Sequence, residues 1–513
     1  MDSPGGSFRP GGRGGKHREQ LIEGPITKTL LVFSLPVMGG NALQSLNGSV
    51  NQFWVSHTLG VSAITAIGNA NIVMMLMLGS LFGIGMAANI LIAQGVGAGD
   101  FKTVKKVMGT AVIFFVGLAA LIAVLGYFTA PHILAAMGTP AVSRAEAEIY
   151  LRIVFLSMPF MCLFIFLQMA QRGAGDSKTP FYFLFLAIIL DITLNPLLIR
   201  GIGPFPKLGI AGSACSTLVG QGVSLICLVI TLYRMKSPLM LRWEDLPLLK
   251  PDFSISMQLL LRGMPMSLQM LVMSGAAMVM IGFVNSFGAL TAAAYTAASQ
   301  VWTYVQMPGM ALGASISSMA AQNIGADRWD RVGKIAVSGV LSSLVVTGTV
   351  TAIIYLLGDA TLHIFLPSGS PAMAIARHIN HMVLWSMILF SVTFALSGIV
   401  RSTGAVIVPL IILAFSVGVI RIPFAMFLIP RWGADAIWWS FPLGTIASAA
   451  LSALYYRFGG WRKLKMLRFD SDVAGEASDT GMGAPVMDTP IEDEIAGDAQ
   501  AERAAAAKAG APA

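Results

Sequence analysis

Apolar runs of more than 20 residues, separated by short polar breaks, recur along the chain from about residue 28 to residue 457. A helix of about 20 apolar residues is long enough to cross the hydrocarbon core of a bilayer. Breaks at Gly, Pro and charged residues divide the pattern into twelve predicted spans. These spans lie near residues 28–55, 62–95, 103–130, 145–171, 178–200, 209–233, 255–285, 290–322, 330–357, 375–400, 405–430 and 435–457. The pattern predicts an all-α polytopic membrane protein.

The composition agrees with this class. Of the 513 residues, 55% are hydrophobic and 11% are charged, whereas soluble chains carry about 25% charged residues. The three cysteines, Cys162, Cys215 and Cys227, lie within apolar runs and have neither metal-site spacing nor loop positions. They therefore predict neither disulfides nor redox chemistry.

Basic residues indicate the orientation of the spans. With the N-terminus in the cytoplasm, the predicted cytoplasmic segments hold about 24 Lys and Arg residues and the opposite loops hold about six. This bias predicts a multi-pass protein of the cell membrane with both termini cytoplasmic. The basic N-terminus is not followed by an apolar segment with a small-residue cleavage site, so we expect no cleaved signal peptide. Interfacial aromatic residues are expected near the span ends, at Trp432, Trp438, Trp439 and Trp461.

The chain repeats itself at a nearly constant offset of 228 or 229 residues. Three short motifs recur, namely Ser34-Leu35-Pro36 as Gly263-Met264-Pro265, Ala93-Gln94-x-x-Gly97-Ala98 as Ala321-Gln322-x-x-Gly325-Ala326, and Arg172-x-x-Gly175-x4-Pro180 as Arg401-x-x-Gly404-x4-Pro409. Six spans per half is an even number, so both halves insert the same way up. The repeats are therefore parallel and related by an axis along the membrane normal, with a cleft between two six-helix bundles that suits alternating access.

The domain organisation follows from these repeats and from local composition. We expect a disordered basic arm at 1–24, an N-terminal six-helix lobe at 25–234, a cytoplasmic linker at 235–254, a C-terminal six-helix lobe at 255–465, and a disordered acidic tail at 466–513.

One carboxylate, Asp191, lies well inside an apolar run. A charge at that depth costs roughly 2.5–3.5 kcal/mol on insertion scales. Asn195 follows by four residues and so shares its helix face, and Pro196 removes a backbone donor from the same turn. An intramembrane acid with a polar neighbour indicates a functional site. The alternative is a structural hydrogen-bond network.

A polar stripe runs along the first span. Asn41, Gln44, Gly48 and Asn51 recur at spacings of three and four, with Asn47 beside them. In lipid such a stripe must face protein or a water-filled cavity. We expect Asn69, Asn71 and Gln168 to face the same space as part of a substrate path. The alternative is interhelical hydrogen bonding worth about 0.6 kcal/mol per pair.

The second half carries a different set of candidates. Tyr295, Ser299, Trp302 and Gln306 form a helical stripe in the eighth predicted span. Arg421 lies in the eleventh span, close to the place that corresponds to Asp191. Arg421 could repel cations or bind an anionic group. The alternative is that it pairs with carbonyls or extends to an interface.

The order, spacing and duplication of these motifs resemble the MATE family, the multidrug and toxic compound extrusion transporters. The matching features are Pro36, Gln94-x-x-Gly97-Ala98-x-Asp100, Arg172-Gly173-Ala174-Gly175-Asp176-x-x-x-Pro180, and the Asp/Asn-Pro stretch of the fifth span. The resemblance implies two six-helix lobes in a V, and export of organic cations or amphiphiles against proton or sodium entry. Phe53-Trp54-Val55-Ser56 is most similar to the DinF branch.

The sequence departs from that branch at the acids. The branch usually has an Asp where this chain has Asn51, and it reads Asn then Leu-Asp-Pro where this chain has Asp191 and then Leu194-Asn195-Pro196. The Glu and Asp that the NorM branch places in the second half are missing. We therefore expect cation coupling at Asp191, Asn195 and Asn51. A single acid favours protons over sodium, because a bare Na⁺ favours several hard oxygen ligands.

These observations predict a secondary multidrug antiporter without a cofactor, with H⁺ as the coupling ion and Na⁺ as the less favoured one. Its expected partners are drug-like small molecules and the bilayer, with no nucleic acid, and the expected oligomeric state is a monomer. A lipid-linked precursor flippase of the same superfamily is the alternative. The major facilitator class is disfavoured because its basic loop after the second span is missing. An intramembrane enzyme is disfavoured because the chain has no His-Glu-x-x-His, Cys/His cluster or Walker-type motif.

Overall fold

The computed structural model describes residues 13–464 and 466, except for residues 60, 140, 242–244, 246–249 and 368. The described residues form sixteen α-helices with one π-helical and one 3₁₀ segment. They are α1 Arg13–Glu23, α2 Ile26–Leu59, α3 Val61–Ala98, α4 Phe101–Ala136, α5 Ala141–Gly173, α6 Lys178–Arg200, α7 Ile210–Arg234, α8 Phe253–Asn285, α9 Ala289–Gly325, α10 Trp329–Leu357, α11 Asp359–His363, α12 Ala372–Val383, α13 Ser386–Arg401, α14 Ile407–Ala414, the π segment Phe415–Arg421, α15 Ile422–Trp432, α16 Asp435–Phe458 and the 3₁₀ segment Gly460–Lys463.

Each of the twelve predicted spans coincides with one long helix or with helices that follow each other directly. Within the described residues, ten spans are long and apolar enough to cross a membrane, or eleven if the bent pair α12 and α13 counts as one. The remaining span is α9, which has 37 residues and is not among these candidates. Its polar positions Ser315, Gln322 and Asn323 are buried against protein, so they need not face lipid. The all-α polytopic fold is therefore confirmed.

Each half contributes most of one hydrophobic core, and the first core also includes residues of the second half, such as Leu259 and Met266 of α8. The first core is built mainly from residues of α2 to α7, from Val55 to Leu239. The second core contains only residues between Met280 and Phe441. A third, smaller cluster joins the start of α2 to the ends of α9 and α13. Trp438 and Trp461, expected at a membrane interface, are instead buried in the second and third clusters at 1% exposure each, because other aromatic and aliphatic side chains pack over them.

Two equivalent motifs exchange hydrogen bonds where the halves meet. Gln94 donates through Nε2 to the carbonyl of Ser402 at 2.7 Å, and Gln322 donates to the carbonyl of Gly173 at 2.8 Å. The two donors, Gln94 and Gln322, are separated by the repeat offset of 228 residues, and the two acceptors, Gly173 and Ser402, by the offset of 229. This reciprocity indicates a pseudo-two-fold axis between parallel repeats. We call this contact the junction, formed by Gln94, Gly97, Gly173, Gln322, Gly325 and Ser402.

Two glycines allow the backbones to meet at the junction. A Cβ atom at Gly97 would lie 2.0 Å from the carbonyl oxygen of Gln322, and one at Gly325 would lie 1.9 Å from that of Gln94. Attractive contact between heavy atoms requires about 3.5 Å or more. Only glycine permits this approach of α3 to α9.

Residues 13–23, predicted as part of a disordered arm, form the helix α1 and pack on the junction. Arg18 donates from Nε to the carbonyl of Val96 at 2.9 Å and from Nη2 to that of Gly97 at 3.0 Å. Asn323 donates to the carbonyl of Leu21 at 3.1 Å. The prediction of disorder was wrong here because the last carbonyls of α3 need donors, which Arg18 supplies. Residues 1–12 and 467–513, the rest of the predicted arm and nearly all of the tail, lie outside the described residues.

An ion pair connects the start of α8 to the first half. Asp252 caps α8 by accepting from the backbone N–H groups of Ser254 at 2.8 Å and Ile255 at 3.2 Å. Its other oxygen lies 2.5 Å from Nζ of Lys106 in α4. The Lys106 hydrogen bond is the main cause that lowers the pKa of Asp252 below its usual 3.8.

Asp252→Asn is expected to lower stability slightly at neutral pH and not in strong acid. Asn keeps the cap, so the loss is that of a partly exposed ion pair, about 0.2–1 kcal/mol. Because the folded-state pKa of Asp252 is lowered, the pair stabilises above the usual value and its contribution disappears as pH falls through the lowered value. Thermal unfolding of detergent-purified protein across pH measures this. Asp252→Ala should cost about 1 kcal/mol more, since it also removes the cap. If Asp252→Asn were less stable than wild type by the same amount at every pH, the prediction would be contradicted.

Candidate functional site

A cavity of about 650 Å³ lies within the first half. Helices α2, α3, α5, α6 and α7 form its wall. Its polar lining consists of Asn41, Gln44, Asn47, Asn51, Asn71, Tyr150, Ser157, Gln168, Arg172, Asp191, Ser213, Thr217 and Gln221. The predicted polar stripe of the first span thus faces this cavity, and the fourth and fifth spans face it too.

Asp191 in α6 is 3% exposed and accepts four hydrogen bonds. Asn47 and Asn51 of α2 donate through Nδ2 to its Oδ2 at 2.9 Å and 3.2 Å. Ser216 and Thr217 of α7 donate from their hydroxyls to its Oδ1 at 2.6 Å and 3.2 Å. These donors fill the acceptor capacity of a carboxylate. Among the described residues no ion pair includes Asp191.

Helical spacing places these groups around one carboxylate. Asn47 and Asn51 are one turn apart in α2 and so point to the same side. Adjacent hydroxyls on the first turns of α7 reach Asp191 because α6 and α7 pack closely. A Cβ atom at Gly220 would lie 2.8 Å from the carbonyl oxygen of Ala187.

Asn195 belongs to the same network although it does not line the cavity. It is fully buried and donates through Nδ2 to Oδ1 of Asn51. Asn51 therefore connects Asn195 to Asp191. Two acceptor oxygens of the network, Oδ1 of Asn47 and Oδ1 of Asn195, are buried without a hydrogen-bond partner among the described residues. The site thus holds uncompensated acceptor oxygens beside a carboxylate, which is an environment that attracts a proton or a small cation.

The predicted residues of the first half fall into two groups. Asp191, Asn195 and Asn51, predicted for cation coupling, form one network, and Asn47, predicted for the substrate path, belongs to it through its direct bond to Asp191. The path residues that line the cavity are Gln44, Asn47, Asn71 and Gln168. The side chain of Asn69 lies outside the described part of the structure.

The predicted residues of the second half lie away from this cavity, in a separate aromatic cluster. Tyr295 and Trp302 are buried in α9, with ring centroids 5.7 Å apart. Trp302 donates from Nε1 to Asn380 at 2.8 Å. Gln306 points to the sulfur of Met387 at 3.4 Å. Arg421 stacks over Phe441, with Cζ 3.5 Å from the ring centroid.

Three residues of the site escaped the sequence analysis. Ser216 and Thr217 lie in an apolar run, where hydroxyls usually satisfy themselves on the preceding helical turn. Ser216 does bond the carbonyl of Ser213 at 2.9 Å, in addition to Asp191. Arg172, noted in the sequence only as part of a repeated motif, lines the cavity, and its buried Nε has no partner in the part of the chain that the structure describes.

Comparison with known proteins places the chain among multi-pass membrane transporters for small molecules. The profile of the MatE family matches residues 36–197 and again residues 265–427. The chain belongs to the MATE family of multidrug efflux transporters. The two matches also confirm the internal repeat.

Individual relatives agree over most of the chain. Probable multidrug resistance protein YoeA of Bacillus subtilis is 34% identical over 86% of this chain and 96% of its own length. Probable multidrug resistance protein NorM of Thermotoga maritima is 25% identical over 88% of this chain and 96% of its own.

Solved structures share the fold. The Vibrio cholerae MATE transporter VcmN in the bent form has a TM-score of 0.78 at 19% identity, over 87% of this chain and 98% of its own. The outward-facing conformation of a multidrug resistance MATE family transporter of the MOP superfamily has a TM-score of 0.80 at 21% identity, over 86% of this chain and 98% of its own. At these identities the comparison concerns the fold alone.

Proposed function

We propose that the protein exports organic cations or amphiphilic compounds in exchange for protons, by alternating access, with Asp191 as the proton carrier. One observation carries the proposal. A carboxylate at 3% exposure lies on the wall of a cavity inside a membrane-spanning half, held by neutral donors and paired with no cation among the described residues.

The two carboxylate oxygens differ in how they accommodate a proton. The donors to Oδ2 are amide N–H groups, which cannot accept a proton. The donors to Oδ1 are the hydroxyls of Ser216 and Thr217, and a hydroxyl can either donate or accept. Protonation at Oδ1 therefore needs only rotation of a hydroxyl, so that the new O–H of Asp191 donates to it. The neutral and charged forms of the site can both keep their hydrogen bonds.

Competition between a proton and a cationic substrate provides the exchange. The ionised form of Asp191 supplies a negative charge to a cavity that Arg172 also lines, and protonation removes that negative charge. Bound substrate and bound proton thus exclude each other at one residue. Net exchange then requires that the two arrangements of the lobes differ in their affinity for the proton.

The junction supports alternating access. The second core lies wholly within the second half, and the halves are joined where α3 and α9 end, through Gln94 and Gln322, and by the packing of α8 on α3. We propose that this end faces the cytoplasm, as the distribution of basic residues predicts. With this orientation, the closed junction blocks the path between the lobes on the cytoplasmic side. Opening the junction would expose the cavity to the cytoplasm.

Sodium is the alternative coupling ion. The buried, unpartnered oxygens of Asn47 and Asn195 favour it, because Na⁺ takes oxygen ligands. Against it, the four donors of Asp191 would have to turn away before the carboxylate could ligate a metal ion, whereas a proton requires one hydroxyl to rotate.

Transport in proteoliposomes tests the coupling. With the proton gradient and the sodium gradient imposed separately, a pH gradient alone is expected to drive uptake of ethidium, a cationic aromatic dye, above its equilibrium level. A sodium gradient at equal pH on both sides should not. Accumulation driven by sodium alone would reject the proton proposal, and accumulation under neither gradient would reject the antiport proposal itself.

A further inference from the structure

The helix α1 is held to the second half through its backbone. Asn323 of α9 donates from Nδ2 to the carbonyl of Leu21 at 3.1 Å. Arg331 of α10 donates from Nη2 to the carbonyl of Gly24, just past the end of α1, at 2.8 Å. The side chain of Leu21 is buried in the third hydrophobic cluster together with residues of α9 such as Met319. Because these contacts all come from α9 and α10, we expect α1 to move with the second half.

The amide of Asn323 that anchors α1 has a fixed orientation. Its Oδ1 accepts from Nε of Arg331 at 3.2 Å, and its Nδ2 also donates to the carbonyl of Met319 at 2.8 Å. Asn323 is fully buried, and a buried amide that lost these partners would be costly. The attachment of α1 to the second half is therefore a stable part of that half.

Among the side chains that the structure describes in α1, Arg18 makes the hydrogen bonds to the first half. It donates from Nε to the carbonyl of Val96 at 2.9 Å and from Nη2 to the carbonyl of Gly97 at 3.0 Å. These carbonyls lie in the last turn of α3, where partners within the helix run out. A cation at this end also interacts favourably with the helix dipole. The end of α3 is thus capped by a side chain whose own helix is anchored on the other half.

The bonds of Arg18 lie at the place where the halves approach most closely. Gly97, one of its two acceptors, belongs to the junction, and a Cβ atom there would lie 2.0 Å from the carbonyl oxygen of Gln322. If α3 separated from α9 at the junction, α3 would also move away from α1, which is bonded to α9. Both bonds of Arg18 would then break. They are therefore bonds of the closed junction.

We infer that α1 is a strap that holds the junction closed, bonded to the first half through Arg18. The inference rests on the proposed alternating access and names the element that regulates it, whichever ion is coupled. A contact shifts an equilibrium only if it is more favourable in one of the two states. Arg18 has its two carbonyl partners in the closed state, so opening the junction requires release of the strap.

Spin labels on the two halves measure the opening. Lys102 near the start of α4 and Lys334 near the start of α10 are exposed, and they follow the ends of α3 and α9 directly. In a chain whose three native cysteines are replaced, Lys102→Cys and Lys334→Cys carry the labels. Double electron–electron resonance of the purified full-length protein in detergent then gives the distribution of distances between them. A closed junction corresponds to the shorter distances and an open junction to the longer ones.

The variants are compared in wild type and in a Gly325→Ala background. The added Cβ of Gly325→Ala would lie 1.9 Å from the carbonyl oxygen of Gln94, so it weakens closure and makes both populations measurable. Arg18→Gln is expected to raise the ratio of longer to shorter distances about tenfold in that background, because two bonds from a charged donor are lost. Arg18→Lys should have a smaller effect, since it keeps the charge without the planar fork.

Arg328→Gln is the matched control. Arg328 is 45% exposed and lies 3.7 Å from the carboxylate of Glu23 at the end of α1. This contact joins α1 to the second half and does not reach the first, and a pair so exposed contributes little. Its loss should leave the distance distribution unchanged. The same substitution chemistry is thus compared at a site that spans the junction and at one that does not.

An unchanged ratio in Arg18→Gln, or an equal rise in Arg328→Gln, would overturn the inference. Gly325→Ala alone distinguishes this failure from that of the proposed alternating access. If it produces no longer distances, closure at the junction is wrong and the strap is rejected with it. If it does produce them and Arg18→Gln adds nothing, only the strap is rejected. Should thermal unfolding show that Arg18→Gln does not fold, Arg18→Lys decides.

Discussion

Asp191→Asn is expected to reduce ethidium uptake driven by a pH gradient to the level of protein-free liposomes. The variant removes the one ionisable group of the hydrogen-bonded network while keeping its shape. An amide at this position still accepts from Asn47 or Asn51 and still finds a hydroxyl in Ser216 or Thr217. Folding should therefore be retained, as thermal unfolding would verify. Asp100→Asn, which replaces the N-cap of α4 with an equally good cap, serves as the matched control and should transport normally.

The double variant Asp191→Asn with Asn195→Asp refines this result. The two positions lie about 6 Å apart along one helix face, at 1.5 Å per residue, and Asn51 contacts both side chains. We expect the swap to restore part of the lost rate, since rotation of the Asn51 amide provides a donor to the new acid. If a folded swap that still binds ethidium shows no recovery, the acid must sit beside the hydroxyls of Ser216 and Thr217.

Gly97→Ala and Gly325→Ala are expected to prevent closure of the junction. The new Cβ atoms would overlap the carbonyl oxygens of Gln322 and Gln94, at 2.0 Å and 1.9 Å. Overpacking of this kind costs about 1–3 kcal/mol or more, which lowers the ratio of closed to open protein by roughly fivefold or more. The cores of the two lobes are untouched, so the protein should still fold. The transport rate should fall in proportion to the population with a closed junction.

A cross-link reports the closure directly. Thr27 in α2 and Ser338 in α10 lie 2.8 Å apart at their hydroxyl oxygens. In a chain whose three native cysteines are replaced, Thr27→Cys with Ser338→Cys should cross-link readily and should do so much less after Gly97→Ala. Gly275→Ala is the control, because nothing lies within 4 Å of its added Cβ. Equal cross-linking in Gly97→Ala would show that the junction tolerates the side chain.

The sequence predicted the architecture because lipid imposes it. The span limits near residues 178–200 and 330–357 coincide with α6 and α10, since apolar length and breakers determine a span. The repeated Gln-x-x-Gly motif predicted the parallel halves. It could not predict that Gln94 and Gln322 each bond a carbonyl of the other half, because those bonds depend on how the two halves pack together. The helix α1 was missed for the same reason, since it bonds to residues distant in the chain, namely Val96, Gly97 and Asn323.

The candidate site was predicted in outline. A lone acid in an apolar run is conspicuous, and helical spacing gave the stripe that includes Asn51. The closest partners were harder to find, because Ser216 and Thr217 look like ordinary helix hydroxyls and only the packing of α7 on α6 brings them to Asp191. Arg421 was noticed, but its stacking over Phe441 depends on the packing of two helices, which no periodicity argument provides.

Proton release on substrate binding tests the central claim most directly. Ethidium is added to lightly buffered, detergent-purified protein between about pH 4 and about pH 8, and the change in free proton concentration is recorded. If proton and cation compete at Asp191, wild type releases protons in part of this range and Asp191→Asn releases none. Binding of ethidium without release at any pH, or equal release from Asp191→Asn, would contradict the account.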